Sequence, residues 1–267
     1  MPYIQLAALL AALATVGPFS IDTYLPALHA IGEELNATPL EVQQTLTAYM
    51  LPMGAMVLWH GAFSDAWGRK PVIVVSMLLF ALASLVCVFA GSIETLLVGR
   101  ALQGISAGAG MVVGRAVVRD IMEGPRAQRL MSHVSMAFAL GPAIAPILGG
   151  WIDSAFGWRA VFVFLALLGL ALAGLSSWRL AESHPVEARH PLHLRPLARR
   201  YRAVFASPGF LLLSIAVSLN FNGFFIYVLS APVFLMRHLG LGETEFGWMF
   251  IPGVIGMMAG SGLSARL

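Results

Sequence analysis

Eight runs of about twenty mostly apolar residues dominate this chain, over residues 3–29, 41–63, 71–91, 95–118, 130–151, 158–180, 209–236 and 245–265. A helix needs about 20 such residues to cross the hydrocarbon of a bilayer. A chain with this spacing cannot bury all of its apolar surface against itself, so lipid must be part of its solvent. Composition supports this. The chain is 58% hydrophobic and 11% charged, against roughly 25% charged in soluble domains. The expected fold class is therefore all-α, a polytopic membrane protein.

The sparse charge is one-sided. With the N-terminus in the cytoplasm, Arg69, Lys70, Arg115, Arg119, Arg126, Arg129, Arg179, Arg189, Arg195, Arg199, Arg200, Arg202 and Arg266 fall on the cytoplasmic side. Only Arg159 and Arg237 fall opposite, and Arg100 lies inside a helix. This asymmetry follows the positive-inside rule. The same basic residues form no single face on a soluble module, so no nucleic-acid partner is expected. Cys87 stands alone and reads as a small core residue. The N-terminus lacks a basic region before its apolar run, which favours an uncleaved first helix.

Six helices precede a polar stretch with Pro185, Pro191, Pro196 and several arginines. The expected domains are a six-helix bundle over 1–182, a basic cytoplasmic linker over 183–207, and helices 7 and 8 over 208–267. A faint repeat at an offset of two hundred residues pairs Asp22 with Asn222, Leu51-Pro52 with Ile251-Pro252, and Ser64 with Ser264. Glycines four apart, Gly104/Gly108, Gly110/Gly114 and Gly256/Gly260, suit close helix packing.

Four constellations carry candidate chemistry. The turn G-A-F-S-D-A-W-G-R-K-P, Gly61 to Pro71, sets Asp65, Arg69 and Lys70 between two apolar runs, with Gly68 for the bend. Asp120 is a candidate partner for Arg69. Asp22, in F-S-I-D-T-Y-L-P, is a carboxyl at membrane depth, an expensive placement that usually marks function. Arg100 opens R-A-L-Q-G-I-S-A-G-A-G, with Gln103 beside it. At 1.5 Å per residue, Asp22 and Arg100 both fall in the outer third of the membrane, so a pair between them is possible if their helices are neighbours. Snorkelling of Arg100 to the outer surface is the alternative. Fourth, Gly141, Pro142, Pro146, Gly149 and Gly150 bend and thin one helix, whose freed carbonyls need protein or cavity around them. Tyr49, Met53, Asn220, Asn222, Phe224 and Tyr227 are weaker candidates for a cavity lining. His184, His190 and His193 sit among arginines in the linker, and no metal is expected there. No phosphate-binding loop for ATP occurs.

These motifs together resemble the major facilitator superfamily, and within it the Bcr/CflA branch of drug:proton antiporters. The resemblance is specific from Ile21 to about Arg159 and rests on helix layout beyond. It implies about eight of twelve expected transmembrane helices. It implies that the Gly61–Pro71 loop locks one conformation by charge pairing, in part with a helix near helix 11. It also implies that Arg100 with Gln103 serves proton coupling and that the helix of Gly141–Gly150 marks exporters. The expected activity is proton-driven export of small, largely apolar drugs across the inner membrane, by a multi-pass protein that is monomeric when complete. It is no enzyme, and it needs no cofactor beyond the proton as coupling ion. The alternatives are a metabolite uptake carrier of the same superfamily, or an inactive fragment or membrane scaffold.

Overall fold

In a computed structural model the described residues are 2–189, 192, 194–232, 252, 255 and 256. They are helical, with no strand among them. The chain divides after Arg189 into two compact units.

The first unit contains α1 (Tyr3–Asp22), α2 (Leu28–Glu34), α3 (Pro39–Trp67), α4 (Arg69–Val88), α5 (Ile93–Ala107), α6 (Ala109–Ile121), α7 (Gly124–Phe156) and α8 (Trp158–Arg179). Local chemistry sets the starts of these helices. Thr38 and Glu41 form a reciprocal capping box on α3, the threonine hydroxyl accepting from the Glu41 N–H (3.3 Å) and the carboxylate accepting from the Thr38 N–H (2.8 Å). Pro39 follows at the first helical position, where a missing N–H costs nothing. Ser92 caps α5 by accepting from the Thr95 N–H. Gly68, at φ +101°, lets α3 turn directly into α4.

Among the described residues four unbroken spans are long and apolar enough to cross a membrane: Tyr3–Glu34, Arg69–Val88, Ile93–Ile121 and Trp158–Arg179. The first and third merge shorter helices, α1 with α2 and α5 with α6. The segment Gly124–Phe156 reaches the same standard as a pair bent by 42° at the Pro142 region, consistent with the ring of an internal proline displacing the preceding turn. The expected crossing over 41–63 forms as the 29-residue α3. Gln43, Gln44, Thr45 and Thr47 make its first turns polar, and it is not among those spans.

Inside the unit, α1 packs on α7 and α6, α3 on α5, and α4 on both α5 and α8. The distribution of polarity is reversed relative to a water-soluble bundle. Ser20, Ser84, Arg100, Gln103 and Ser106 are buried, while Leu79, Leu82, Leu167 and Leu170 point outward. This is the arrangement expected of helices whose outer solvent is lipid. Small residues let the helices touch. A side chain at Gly104 would run into the backbone carbonyl of Tyr49, and one at Gly149 into that of Thr23.

The second unit contains α9 (Leu194–Phe205) and α10 (Pro208–Pro232). The linker expected over 183–207 is thus not one loop. Residues 183–189 belong to the first unit and 194–205 are helical. The expected eighth crossing, 245–265, lies outside the described residues except for 252, 255 and 256.

The close α3–α5 crossing makes a direct prediction. Gly104→Ala should destabilise the protein by about 1–3 kcal/mol through overpacking. Gly54→Ala, where nothing lies within 4 Å, should be neutral or stabilise by up to about 1 kcal/mol. Thermal unfolding of both variants in detergent checks this, and equal midpoints would count against the packing.

Candidate functional site

Arg100 is the centre of the first site. It stands in the second turn of α5 and is 0% exposed. An unpaired guanidinium at that depth is costly, so its contacts matter. One terminal nitrogen, Nη1, donates to the carbonyl of Ser20 (3.2 Å) and to Oε1 of Gln103 (2.7 Å). Gln103 in turn donates from Nε2 to the Ser84 hydroxyl (2.7 Å), which donates to the Phe80 carbonyl (2.8 Å). Two aromatic rings flank the cation. The guanidinium carbon lies 4.7 Å from the ring centre of Tyr24 and 4.3 Å from that of Tyr49, with Phe162 at 6.0 Å. Such contacts contribute about 2 kcal/mol or more each when desolvated.

The rings are themselves fixed. The Tyr24 hydroxyl bonds the Thr45 hydroxyl (2.6 Å), and Tyr49 donates to the Gly17 carbonyl (3.1 Å). Tyr49 is thereby fully buried against Arg100. Met53, one turn along α3, is half-buried. The other two guanidinium nitrogens, Nε and Nη2, have no hydrogen-bond partner among the described residues.

Asp22 ends α1 and is 4% exposed. It forms no ion pair among the described residues. An Asp22–Arg100 pair is therefore absent from this conformation. The two helices do meet, since Arg100 reaches the carbonyl of Ser20, two residues before Asp22. Nor does Arg100 snorkel outward, because Tyr24, Tyr49 and Gln103 hold it inside. The bent helix closes the same region. Gly141, Pro142, Pro146, Gly149 and Gly150 are all buried. Gly149 sits against the backbone of Thr23 and Gly141 near Pro18, so this part of α7 lines α1 around Asp22.

The second site is the turn between α3 and α4. Arg69 donates from Nε to Asp120 (2.9 Å) and from Nη1 to the Ser64 hydroxyl (2.7 Å), and it pairs with Asp65. The Ser64 hydroxyl donates back to the carbonyl of Gly61 (2.9 Å). Gly61 faces Val112 across an ordinary van der Waals distance. The geometry needs an arginine, since only its planar fork can serve three acceptors at fixed angles.

Sequence reasoning missed the other half of this network. Glu182, just beyond α8, accepts from the backbone N–H groups of Arg69 (2.9 Å) and Lys70 (3.3 Å), and so caps α4. A carboxylate is favourable at a helix N-terminus, where the N–H groups are unsatisfied and the dipole is positive. Arg189 pairs with Glu182 (3.6 Å), and Ser183 donates to Asp120 (3.0 Å). The crowding explains Gly68 a second time, because a side chain there would strike Glu182 and Arg189. The remaining candidates belong to the second unit. Asn220 and Asn222 are exposed on α10 in the second unit, and the side chains of Phe224 and Tyr227 lie outside the described residues. No cluster able to hold a metal occurs among the described residues.

The first unit thus combines helices of membrane-crossing length with a buried cation, a buried carboxyl and a charged turn between two helices. Residues 9–267 match the Major Facilitator Superfamily, and the chain belongs to that superfamily. It is similar to the bicyclomycin resistance protein homolog of Haemophilus influenzae, 32% identical over 95% of this chain and 64% of the relative. It is also similar to multidrug resistance protein D of Escherichia coli, 30% identical over 93% of this chain and 62% of that relative. The chain thus spans a little under two thirds of the length of these proteins. Among solved structures, the human organic anion transporter MFSD10 superposes with a TM-score of 0.68 over 96% of this chain and 71% of that one, at 18% identity. A bacterial Spinster homolog in an inward-facing, occupied conformation superposes at 0.71 over 92% and 56%, at 19% identity. At these identities the superpositions speak for the fold.

The cap on α4 predicts a measurable cost. Glu182→Ala should destabilise the protein by about 1–2 kcal/mol, the cost of a lost helix N-cap. Thermal unfolding should show the loss, while Glu187→Ala, in the same exposed segment without such a contact, should leave the midpoint unchanged. Equal midpoints for both would remove Glu182 from the hinge.

Proposed function

We propose that the protein is a proton-coupled exporter of small, largely apolar drugs. The observation that carries this reading is the burial of Asp22 and Arg100 on adjoining helices, with two guanidinium nitrogens that have no hydrogen-bond partner among the described residues. A carboxylate at Asp22 has a natural acceptor role toward those nitrogens, and a protonated Asp22 loses most of that attraction. Proton exchange at Asp22 then changes how α1 is held to α5. Substrate competes with the proton for the same region, and the two helical halves rock between inward and outward states. The Arg69–Asp120–Glu182 network holds one of those states by charge pairing.

Drug export as the direction is supported by the resistance proteins to which the chain is similar and by the proline-bent α7 against α1. The setting is the inner membrane, crossed several times, with the N-terminus cytoplasmic as the arginine distribution requires. The substrate leaves chemically unchanged, the proton is the only coupling ion, and the working unit is a monomer. One charge crossing 100 mV supplies about 2.3 kcal/mol, enough for a gradient of roughly 50-fold per proton.

Energised cells expressing the protein should accumulate less ethidium than empty-vector cells, and an uncoupler should abolish the difference. Asp22→Asn should insert normally and accumulate ethidium to the vector level. Export by Asp22→Asn equal to that of the native protein would remove Asp22 from the mechanism. Equal accumulation in native and vector cells would remove the export reading.

A further inference from the structure

The second unit carries a feature that the transport cycle does not use. Helix α9 is amphipathic and strongly basic. At 3.6 residues per turn, Leu197, Ala198, Tyr201, Val204 and Phe205 fall within an arc of about 120°. Arg195, Arg199, Arg200 and Arg202 fall on the remaining arc, on both flanks of the apolar face. All four arginines are exposed, and none forms an ion pair among the described residues. Val204 and Phe205 are 44% and 48% exposed, a poor placement in water for such side chains.

The orientation of this helix is set by its neighbour. Helix α10 is 25 residues long, about 37 Å at 1.5 Å per residue, enough to cross the hydrocarbon core. Only Ala206 and Ser207 separate the end of α9 from the start of α10, and the two axes meet at 75°. Phe205 and Phe210 pack edge to face across the corner, with ring centres 5.7 Å apart. If α10 crosses the bilayer, α9 must run nearly along its surface, at the level where α10 enters.

We infer that α9 is an interfacial helix that seats its Leu197–Tyr201–Val204 face below the headgroups and binds anionic phospholipid through Arg195, Arg199, Arg200 and Arg202. The argument is the charge complementarity and the 75° corner together. An apolar face alone fits any greasy surface. Four exposed guanidinium groups flanking it, without an ion pair among the described residues, fit a surface of phosphodiester anions, to which arginine side chains snorkel from a shallow helix. The inference depends on α10 crossing a membrane and does not depend on the export reading.

The test uses the full chain in vesicles. Nitroxide labels are placed singly at Ala198→Cys, on the apolar face, and at Ala203→Cys, opposite it; Cys87 is buried and stays. Collision with oxygen reports lipid exposure, and collision with a water-soluble nickel complex reports water exposure. In vesicles of phosphatidylcholine with phosphatidylglycerol, position 198 should favour oxygen and position 203 nickel. Each Arg→Gln change among the four should lower the ratio of seated to unseated helix by about fivefold, and pure phosphatidylcholine should lower it as the fourfold variant does. Nickel access at both positions in anionic vesicles would overturn the interfacial placement. Exclusion of both reagents from position 198 in every vesicle would show that protein covers this face. A ratio unchanged by lipid charge and by the Arg→Gln changes would overturn anionic recognition.

Discussion

A full positive charge placed inside a membrane bundle constrains nearly everything around it. Arg100 cannot reach water, so the surrounding helices must supply what water would have supplied. Helix α1 provides the Ser20 carbonyl, α5 the Gln103 amide, α3 the Tyr49 ring, and the turn after α1 the Tyr24 ring. Gln103, Tyr49 and Tyr24 are each held by a further bond, to Ser84, Gly17 and Thr45 respectively. Three regions far apart in sequence, the end of α1 with the turn that follows it, α3 and α5, are thereby tied to one guanidinium. The fit also requires α3 and α5 to approach closely, which is where Gly104 stands against the Tyr49 backbone. What this shell withholds is equally informative. It satisfies one nitrogen of the guanidinium and leaves the other two without a hydrogen-bond partner among the described residues, while the buried Asp22 carboxyl on the adjoining helix forms no ion pair among them.

The hinge near the other end of the bundle works by a related rule at lower cost. There the carboxylates are partly solvated, and the buried Arg69 meets Asp65 and Ser64 from its own turn and Asp120 from α6. The cap by Glu182 extends the hinge to the end of α8. Any motion that opens the α3–α4 turn must therefore disturb the segment leading out of the first unit. A purely local pair would not couple the loop to that segment.

Much of this organisation was legible in the chain. Helices of the first unit follow the apolar runs because a bilayer admits few alternatives to a helix. Asp22, Arg100, Arg69 and Asp120 stood out because ionisable groups are rare in such runs. The partners of Arg100 were less visible. The sequence does not single out Tyr24 and marks Tyr49 only as a candidate cavity lining, because their role depends on helix rotation, which periodicity cannot set in helices apolar on all sides. Glu182 lay beyond the last turn of α8 in a polar stretch, and its contact spans more than a hundred residues. The helical α9 was hidden by Pro196 and by the density of arginine, which suggest a loop. Its 3.6-residue alternation of arginine with Leu197, Tyr201 and Val204 was the signal that could have found it.

The central claim is that a proton on Asp22 and a bound substrate exclude one another beside Arg100. Adding ethidium to the purified protein in weakly buffered detergent solution tests this without any membrane potential. The account predicts a stoichiometric acidification by the native protein and none by Asp22→Asn at equal protein concentration. Equal acidification by both proteins, or binding of ethidium by the native protein with no proton released, would contradict it.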